Sequence, residues 1–145
     1  MSVFSEPPRR QRLPDWEARL FVWLEEIGKH KLQFGRFDCA VGLAAGAVLA
    51  QTGIDLSTPH LGQYADELQA HRYMRKMGWT DHASMMDGIL RRARPGDRHR
   101  GNIVLLESDI GKGFAVRTGS RGTAFAVSGV REFNIPRHAQ EWSPL

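Results

Sequence analysis

The sequence predicts an α+β fold in which N-terminal helices pack on one face of a small antiparallel sheet. Two observations lead to this prediction. From about residue 14 to residue 93, apolar side chains recur three and four positions apart, which is helical spacing. After residue 101 the pattern changes to short runs of β-branched and aromatic residues, separated by brief turns that contain glycine and serine. Because short connections join neighbouring strands in opposite directions, the sheet is expected to be antiparallel.

Length and composition predict one domain preceded by an arm. The chain has 145 residues, enough to build a hydrophobic core without disulfides or metals. Residues 1–13 contain prolines and clustered arginines but no apolar periodicity, so we expect an irregular basic arm there. Residues 14–145 contain no repeat and no linker, and they form the predicted domain.

The first helix is predicted to begin at Pro14-Asp15 and to end at Gly28. Apolar side chains at helical spacing occupy one of its faces: Trp16, Leu20, Trp23, Leu24 and Ile27.

The second predicted helix starts at the only cysteine, Cys39, and runs to about residue 52, with Gly53 as its stop. Its residues are small and apolar. Gly42 and Gly46 lie inside it, and interior glycines cost about 1 kcal/mol each relative to alanine. We therefore expect a strand or another helix to approach this helix closely.

Two further helices are predicted before the sheet. One covers residues 62–77 and ends at Gly78, and its inner side is expected to carry Tyr64, Leu68, His71 and Met74. The other is capped by Thr80 or Asp81 and ends near Ala93. It is expected to bury Met85, Met86, Ile89 and Leu90.

Four short strands are predicted in the C-terminal half, at residues 102–107, 113–117, 123–127 and 130–135. Pro136 is expected to start a final turn or helix that carries Trp142.

Composition narrows the class of protein. Hydrophobic residues make up 41% and charged residues 25%, which is ordinary for a globular protein. The longest apolar run, around residues 39–50, is too short to span a bilayer. Residues 1–15 lack the apolar core of a signal peptide, and one cysteine cannot form an internal disulfide. We therefore expect a protein made in a reducing cytoplasm, without a membrane segment.

The net charge of +4 makes nucleic acid a partner to consider. Basic residues cluster at 9–12 and 91–100, but neither cluster interleaves the aromatic side chains on which single-stranded bases stack. The second cluster is better explained as a helix C-terminus, where cations suit the helix dipole, followed by a solvated loop. A small nucleic-acid-binding protein that uses residues 91–100 is kept as a lesser alternative.

Cys39 is the residue whose position most strongly suggests chemistry. A sulfur at a helix N-terminus faces free backbone N–H groups and the positive end of the helix dipole, and both favour the thiolate. Asp38, directly before it, is predicted to cap the helix rather than to act as a catalytic acid. A thiol nucleophile also needs a base, usually an imidazole.

Several motifs together resemble a known family. Phe34-Gly35-Arg36-Phe37-Asp38-Cys39 resembles the nucleophile segment of the NlpC-type, papain-like cysteine peptidase superfamily. The stretch at residues 100–105 is similar to the start of that superfamily's first central strand, with Asn102 in place of the usual Asp. The whole chain from about residue 14 is most similar to an uncharacterised branch in tailed phages and prophages. The features shared with that branch are the N-terminal Trp helix, Gly-Arg-x-Asp-Cys, Thr52-Gly53-x-Asp55, Gly62-x-Tyr64 and Trp142.

The resemblance also exposes a missing base. In active members of the superfamily the second central strand begins with a histidine, but the matching stretch here is residues 113–117, Gly-Phe-Ala-Val-Arg. His30 and His99 are the remaining candidate bases, and neither has a sequence context that directs it to Cys39. In this setting a small buried hydrophobe is the favoured role for Cys39. No metal or cofactor is predicted, because paired Cys/His spacings, a phosphate-binding glycine loop and a Gly-x-Ser-x-Gly motif are all missing.

The resemblance therefore implies a structural component of a phage or phage-like tail, built on a catalytically degenerate NlpC-like fold. Its implied location is the tail-tip or hub region of the virion, and its implied partners are tail-tube and tail-tip or hub proteins. The basic arm would suit such an assembly contact. The alternative is an active cysteine peptidase or amidase that cleaves peptidoglycan peptides with Cys39 as nucleophile.

Overall fold

A computed structural model describes residues 6–145 of the chain. It has the predicted α+β architecture, with helices followed by a six-stranded antiparallel sheet. The α-helices are α1 (Trp16–Ile27), α2 (Ala45–Thr52), α3 (Glu67–Lys76) and α4 (His82–Asp87). A π-helical segment, Cys39–Ala44, runs directly into α2, and the two together are called the cysteine helix. The strands are β1 (Arg91–Arg92), β2 (Ile103–Ser108), β3 (Gly111–Arg117), β4 (Arg121–Ala126), β5 (Gly129–Asn134) and β6 (Glu141–Ser143).

The strand order across the sheet is β1-β6-β2-β3-β4-β5. The long hairpin β2–β3 stands at its centre, with Ile103 opposite Val116 and Leu106 opposite Gly113. Every paired strand is antiparallel to its neighbour. The four strands predicted from the sequence correspond to β2, β3, β4 and β5, with ends displaced by a few residues.

The helices pack on one face of the sheet, as predicted. The main core joins buried helical residues to buried residues of four strands, among them Leu20, Leu43, Met86, Ile103, Phe114, Phe125 and Trp142. A smaller cluster on the other face consists of Val104, Leu106, Ala115 and Ala124, and it is covered by Phe133, Ile135 and Ala139. The helix face carrying Trp16, Leu20 and Ile27 turns inward, as its spacing indicated.

The close approach expected at the two helical glycines is present. The indole ring of Trp23, from α1, lies so near Gly46 that an added Cβ would be 2.2 Å from it. Gly42 is approached instead by a loop, since an added Cβ there would lie 2.7 Å from the carbonyl oxygen of Arg36. Both distances are shorter than real Cβ contacts allow, so each glycine is required by a neighbouring group.

The prediction for the third helix was wrong in its start and, apart from Met74, in the inner face of the helix. The side chain of Asp66 accepts a hydrogen bond from the N–H of Gln69 and begins α3 there, so Tyr64 precedes the helix. The inner face is displaced from the predicted one, because packing selects the side that carries Tyr73 rather than the side that carries Leu68 and His71. Leu68 is 60% exposed, and the side chains turned inward come from Ala70, Tyr73 and Met74.

The fourth helix was predicted too long, although its cap and three of its four buried residues were predicted correctly; Ile89 is half-buried. Asp81 caps α4, and Met85, Met86 and Leu90 are buried. The helix ends at Asp87 because the following residues leave it to form β1, which pairs with β6. Trp142 was expected in a turn or helix but lies in β6, where it pairs with β1 on one side and with β2 on the other.

A buried ion pair ties β6 to the centre of the sheet. Arg117 donates to both carboxylate oxygens of Glu141, at 2.9 and 2.8 Å. Asn102 donates to the same carboxylate at 2.8 Å. A bidentate pair satisfied in this way is stable in a buried position. The three residues therefore hold the C-terminal strand against β2 and β3.

The described part of the basic arm, residues 6–13, lies against the domain, while residues 1–5 are outside the described residues. Arg12 donates to Oε1 of Gln51 at 3.1 Å, and the N–H of Leu13 donates to the Gln51 carbonyl at 2.7 Å. Arg10 donates to the carbonyl of Ile89. Of the helices between residues 6 and 145, not one has the length and apolar character needed to cross a membrane.

Candidate functional site

The loop before Cys39 is held in one tight conformation. Gln33 and Phe37 are bridged by backbone hydrogen bonds of 2.8 Å, which fold the loop back on itself. Gly35, between them, has a φ of 85°, in the left-handed region that favours glycine. A Cβ at Gly35 would lie 2.3 Å from the carbonyl oxygen of Tyr64. The Phe-Gly part of the motif is therefore explained by backbone geometry.

Asp38 occupies the N-cap of the cysteine helix and is buried. Its Oδ1 accepts hydrogen bonds from the N–H groups of the three residues that follow Cys39: Ala40, Val41 and Gly42. Its Oδ2 accepts from the N–H of Gly35 at 2.9 Å and from the hydroxyl of Tyr64 at 2.7 Å. Both carboxylate oxygens are thus occupied by donors, which is the arrangement of a structural cap.

Cys39 is half-buried at the first position of this helix. Its pKa is raised from 9.0 to about 12, first by burial and second by the negative charge of Asp38. Backbone hydrogen bonds from Phe114 and from Cys39 itself act in the opposite direction but are weaker. The sequence-based expectation of a lowered pKa was therefore wrong. The carboxylate of Asp38 takes up the helix N–H groups that would otherwise stabilise a thiolate.

Gly113 of β3 lies directly against Cys39. A Cβ built on Gly113 would be 3.4 Å from the sulfur and 3.3 Å from the Cβ of Cys39. The backbone N–H of the next residue, Phe114, acts on the same thiol and lowers its pKa, less than burial raises it. In the resemblance, residues 113–117 match the strand that begins with the base histidine. This strand does contact the thiol, and the residue in contact is Gly113.

The two candidate bases named from the sequence lie elsewhere. His30 stacks on Phe37, with ring centroids 3.7 Å apart, and its Nε2 is 3.9 Å from a carboxylate oxygen of Glu26. His99 is exposed in the loop before β2, with its Nε2 3.8 Å from Asp97. Neither residue lines a cavity that Cys39 also lines.

Two cavities open beside Cys39, and a different set of histidines lines them. The first, of about 120 Å³, is lined by apolar and aromatic side chains that include Tyr73, Trp79 and Met85, together with His60. The second, of about 430 Å³, runs between α3 and the β2–β3 turn and is lined by His71. Cys39 and His82 line both.

Sequence reasoning did not single out His82. The capping box formed by Asp81 and Ser84 places His82 at the first position of α4, and its ring meets the edge of Phe114 with a centroid distance of 5.6 Å. Burial, followed by the positive charge of His71, lowers the pKa of His82. The predicted cap at Asp81 located this helix start, but no local signal indicates that the imidazole lines the same cavities as Cys39.

The aromatic side of the first cavity is linked to the cap of the cysteine helix. Tyr64 binds Asp38 and packs against Tyr73, with ring centroids 5.5 Å apart. Tyr73 in turn shares a hydrogen bond with Nδ1 of His60, and both rings contact Trp79. The motif Gly62-x-Tyr64 therefore supplies a wall of the cavity and a partner for Asp38.

Arginines of the basic stretch at residues 91–100 form ion pairs with acidic residues of the same chain. Arg91 pairs with Glu6, Arg92 with Asp87, and Arg100 with Glu17. These intramolecular pairs reduce the positive charge that a nucleic-acid backbone would meet. Among residues 6–145, no group of three histidine, cysteine, aspartate or glutamate side chains is arranged to hold a metal ion.

Comparisons with known proteins identify a family. Searches of curated proteins and of solved structures gave no match to this chain. The sequence model of one family, described as a domain of unknown function (DUF6950), matches residues 11–143, which is nearly the whole chain. The protein is therefore a member of the DUF6950 family.

Proposed function

We propose that the protein is a non-enzymatic component of a phage or phage-like tail, built on a catalytically degenerate NlpC-like, papain-like fold. The main observation in favour of a loss of catalysis is the contact between Gly113 and Cys39. According to the resemblance, the base histidine would begin this strand. A glycine in its place can neither accept the thiol proton nor return it. The tail location, in the tip or hub region of a virion, rests on the resemblance to the phage branch.

The state of the thiol supports the same proposal. A pKa of about 12 leaves Cys39 protonated at neutral pH, and a thiol is a far weaker nucleophile than a thiolate. Burial is the largest cause of this pKa, and the groups that act on it besides are Asp38 and backbone N–H groups, with no imidazole among them. Asp38 would serve active and inactive relatives alike, because its role is to cap the helix.

The fold order supports the papain-like part of the proposal. A cysteine at the start of a buried helix is followed by an antiparallel meander, and the helix packs on β3 of that meander. The same sulfur faces a cleft of about 430 Å³ between the helical layer and the β2–β3 turn. A cleft in this position fits a substrate site that has lost its catalytic base.

The experiment has a chemical arm and a genetic arm. Purified protein is incubated with peptidoglycan, and newly released amino groups are measured for the native chain and for Cys39→Ser, with an active cysteine peptidase as assay control. In parallel, the gene is deleted from the phage or prophage and complemented with either form. We expect no cleavage by either protein, tail defects on deletion, and equal rescue by both forms. Cleavage that disappears in Cys39→Ser contradicts the proposal, as does normal tail assembly without the gene.

One observation favours the second candidate, an active cysteine peptidase or amidase acting on peptidoglycan peptides. His82 lines both cavities together with Cys39, so an imidazole from α4 shares the cleft with the thiol. In this alternative His82 would take the thiol proton from the helical side rather than from β3. The discriminating variant is His82→Ala, which would abolish cleavage under the alternative and leave tail rescue unchanged under the main proposal.

A further inference from the structure

We propose that the groove between α1 and the cysteine helix is a docking site for an acidic amphipathic segment of another protein. The groove has a volume of about 550 Å³ and lies on the outer side of the cysteine helix, where Gly42 and Gly46 form part of its lining. Its other lining residues come from α1, from the loop before Cys39, from the cysteine helix itself and from the segment after α2. Neither Cys39 nor any histidine lines it.

Exposed apolar side chains are concentrated around this groove. Val22, Leu49 and Leu61 line it and are 64%, 40% and 43% exposed. Phe21, the neighbour of Val22 in α1, is 63% exposed but lines the adjacent groove that contains Glu17 and Glu25. Soluble proteins seldom leave several large apolar side chains together in water, and such a patch marks an interaction site. Trp23 and Phe37, which are half-buried in the lining, add the aromatic surface that is enriched at interfaces.

The charges of the groove indicate the chemistry of the occupant. Its two ionisable lining residues are Arg19 and Arg36, and no acidic residue lines it. Within residues 6–145 neither arginine forms an ion pair: Arg19 donates through Nε to the Ala50 carbonyl, and Arg36 lies over the Phe37 ring. A partner that places carboxylates beside its apolar side chains would complement both features. An amphipathic helix with acidic flanks has this pattern.

This site would exist whether or not the protein functions in a tail, because it lies apart from the cleft at Cys39. A neighbouring groove differs in charge. It is lined by Glu17, Glu25 and Glu132 with Arg100, so the acidic partner is expected to choose the groove at Arg19 and Arg36.

The test uses the full-length protein and a fluorescently labelled synthetic helical peptide. The peptide has leucines at i, i+3, i+4 and i+7 and glutamates at the flanking positions, and a second copy has lysine at every glutamate. Binding is followed by anisotropy at several salt concentrations. We expect saturable binding of the glutamate peptide that weakens with added salt, and binding of the lysine peptide at least about ten-fold weaker, since like charges meet at the rim.

Two variants and a matched control locate the site. Val22→Asp is expected to weaken binding of the glutamate peptide by roughly ten-fold or more, because it puts a carboxylate among the apolar contacts. Val127→Asp, in the β4–β5 turn and 74% exposed, is the control and should bind as the native chain does. Arg36→Glu should shift preference toward the lysine peptide. Circular dichroism establishes that each variant is folded.

Several results would overturn the inference. These are the absence of saturable binding, equal binding of the two peptides, and equal loss of binding in Val22→Asp and Val127→Asp. Sedimentation equilibrium supplies a further check on the native chain. A concentration-dependent dimer that Val22→Asp dissociates would show that a second copy of this protein, rather than an acidic partner, covers the groove.

Discussion

The hydroxyl of Tyr64 donates a hydrogen bond of 2.7 Å to Oδ2 of Asp38, and it thereby joins the segment before α3 to the N-terminus of the cysteine helix. Burial and the charge of Asp38 raise the pKa of Tyr64, so the phenol stays protonated and remains a donor. One residue of a remote segment thus completes the cap next to the only cysteine.

Tyr64→Phe is expected to lower the free energy of unfolding by about 1.5–3 kcal/mol, the usual range for a hydrogen bond to a charged acceptor. The measurement is urea denaturation followed by circular dichroism. Tyr73→Phe is the matched control, because it removes a hydroxyl whose partner is the imidazole of His60. Equal free energies of unfolding for the two variants would mean that the bond to Asp38 stabilises the fold no more than the bond to His60 does.

The thiol of Cys39 is expected to react slowly with iodoacetamide near pH 7 and to accelerate only as the pH approaches its pKa of about 12. The protein unfolded in urea should titrate near the ordinary value of 9.0. A folded-state alkylation curve with its midpoint below that of the unfolded chain would contradict the burial argument.

The same shift predicts a pH dependence of stability. Because the folded-state pKa lies above the unfolded-state value, the contribution of the Cys39 thiol is fully present below pH 9.0 and is lost as the pH rises toward about 12. The difference in unfolding free energy between the native chain and Cys39→Ala should therefore shrink across this window. A difference that stays constant over the window would show that the thiol has the same pKa in both states.

Gly113→His is expected to place an imidazole beside the sulfur and to raise the alkylation rate of Cys39 near neutral pH. An added Cβ needs an adjustment of only a few tenths of an ångström, since it would stand 3.3–3.4 Å from the Cys39 side chain. Gly113→Ala introduces the same Cβ without a base and is the control. Equal thiol reactivity in the two variants would mean that this position does not direct a side chain to the sulfur.

Gly46→Ala should destabilise the fold although alanine is the better helix former. The added Cβ would lie 2.2 Å from the Trp23 ring, and overpacking of this kind costs typically about 1–3 kcal/mol. Gly88→Ala is the comparison, because its nearest contact would be an ordinary 3.5 Å. Thermal unfolding of both variants measures the effect, and a Gly46→Ala protein as stable as Gly88→Ala would refute it.

Glu141→Gln should be among the most damaging single substitutions. It leaves the guanidinium of Arg117 buried without its carboxylate, and breaking a buried pair costs about 3–5 kcal/mol. Glu132→Gln, in an exposed pair with Arg121, should change stability by less than about 1 kcal/mol. Urea denaturation of both variants gives the comparison, and similar losses would contradict the buried network.

Prediction from the sequence worked best where the signal lies within a few residues. The α1 face and the caps at Asp38 and Asp81 depend on periodicity and on short-range hydrogen bonds, and they were located correctly. It failed for most of the inner face of α3, because few apolar residues mark a face of this helix and packing against the cavity selects the side with Tyr73. It also missed β1 and β6, since strands of two or three residues exist only through pairing with partners distant in the chain.

The order of helices and strands, the helix start at Asp38-Cys39 and the glycines that allow close packing all follow from the pattern of residues along the chain. The pKa of the Cys39 thiol, in contrast, depends on contacts between distant segments. Its ionisation depends on burial, on the neighbouring carboxylate and on a backbone donor from β3, and these groups combine only after the helix docks on the sheet. The same docking sets Gly113 against the sulfur and brings His82, rather than His30 or His99, to the cavities beside it. Hydrogen bonds between neighbours along the chain can be predicted from the local sequence. The burial and charge of a site depend on all the segments that folding brings together there.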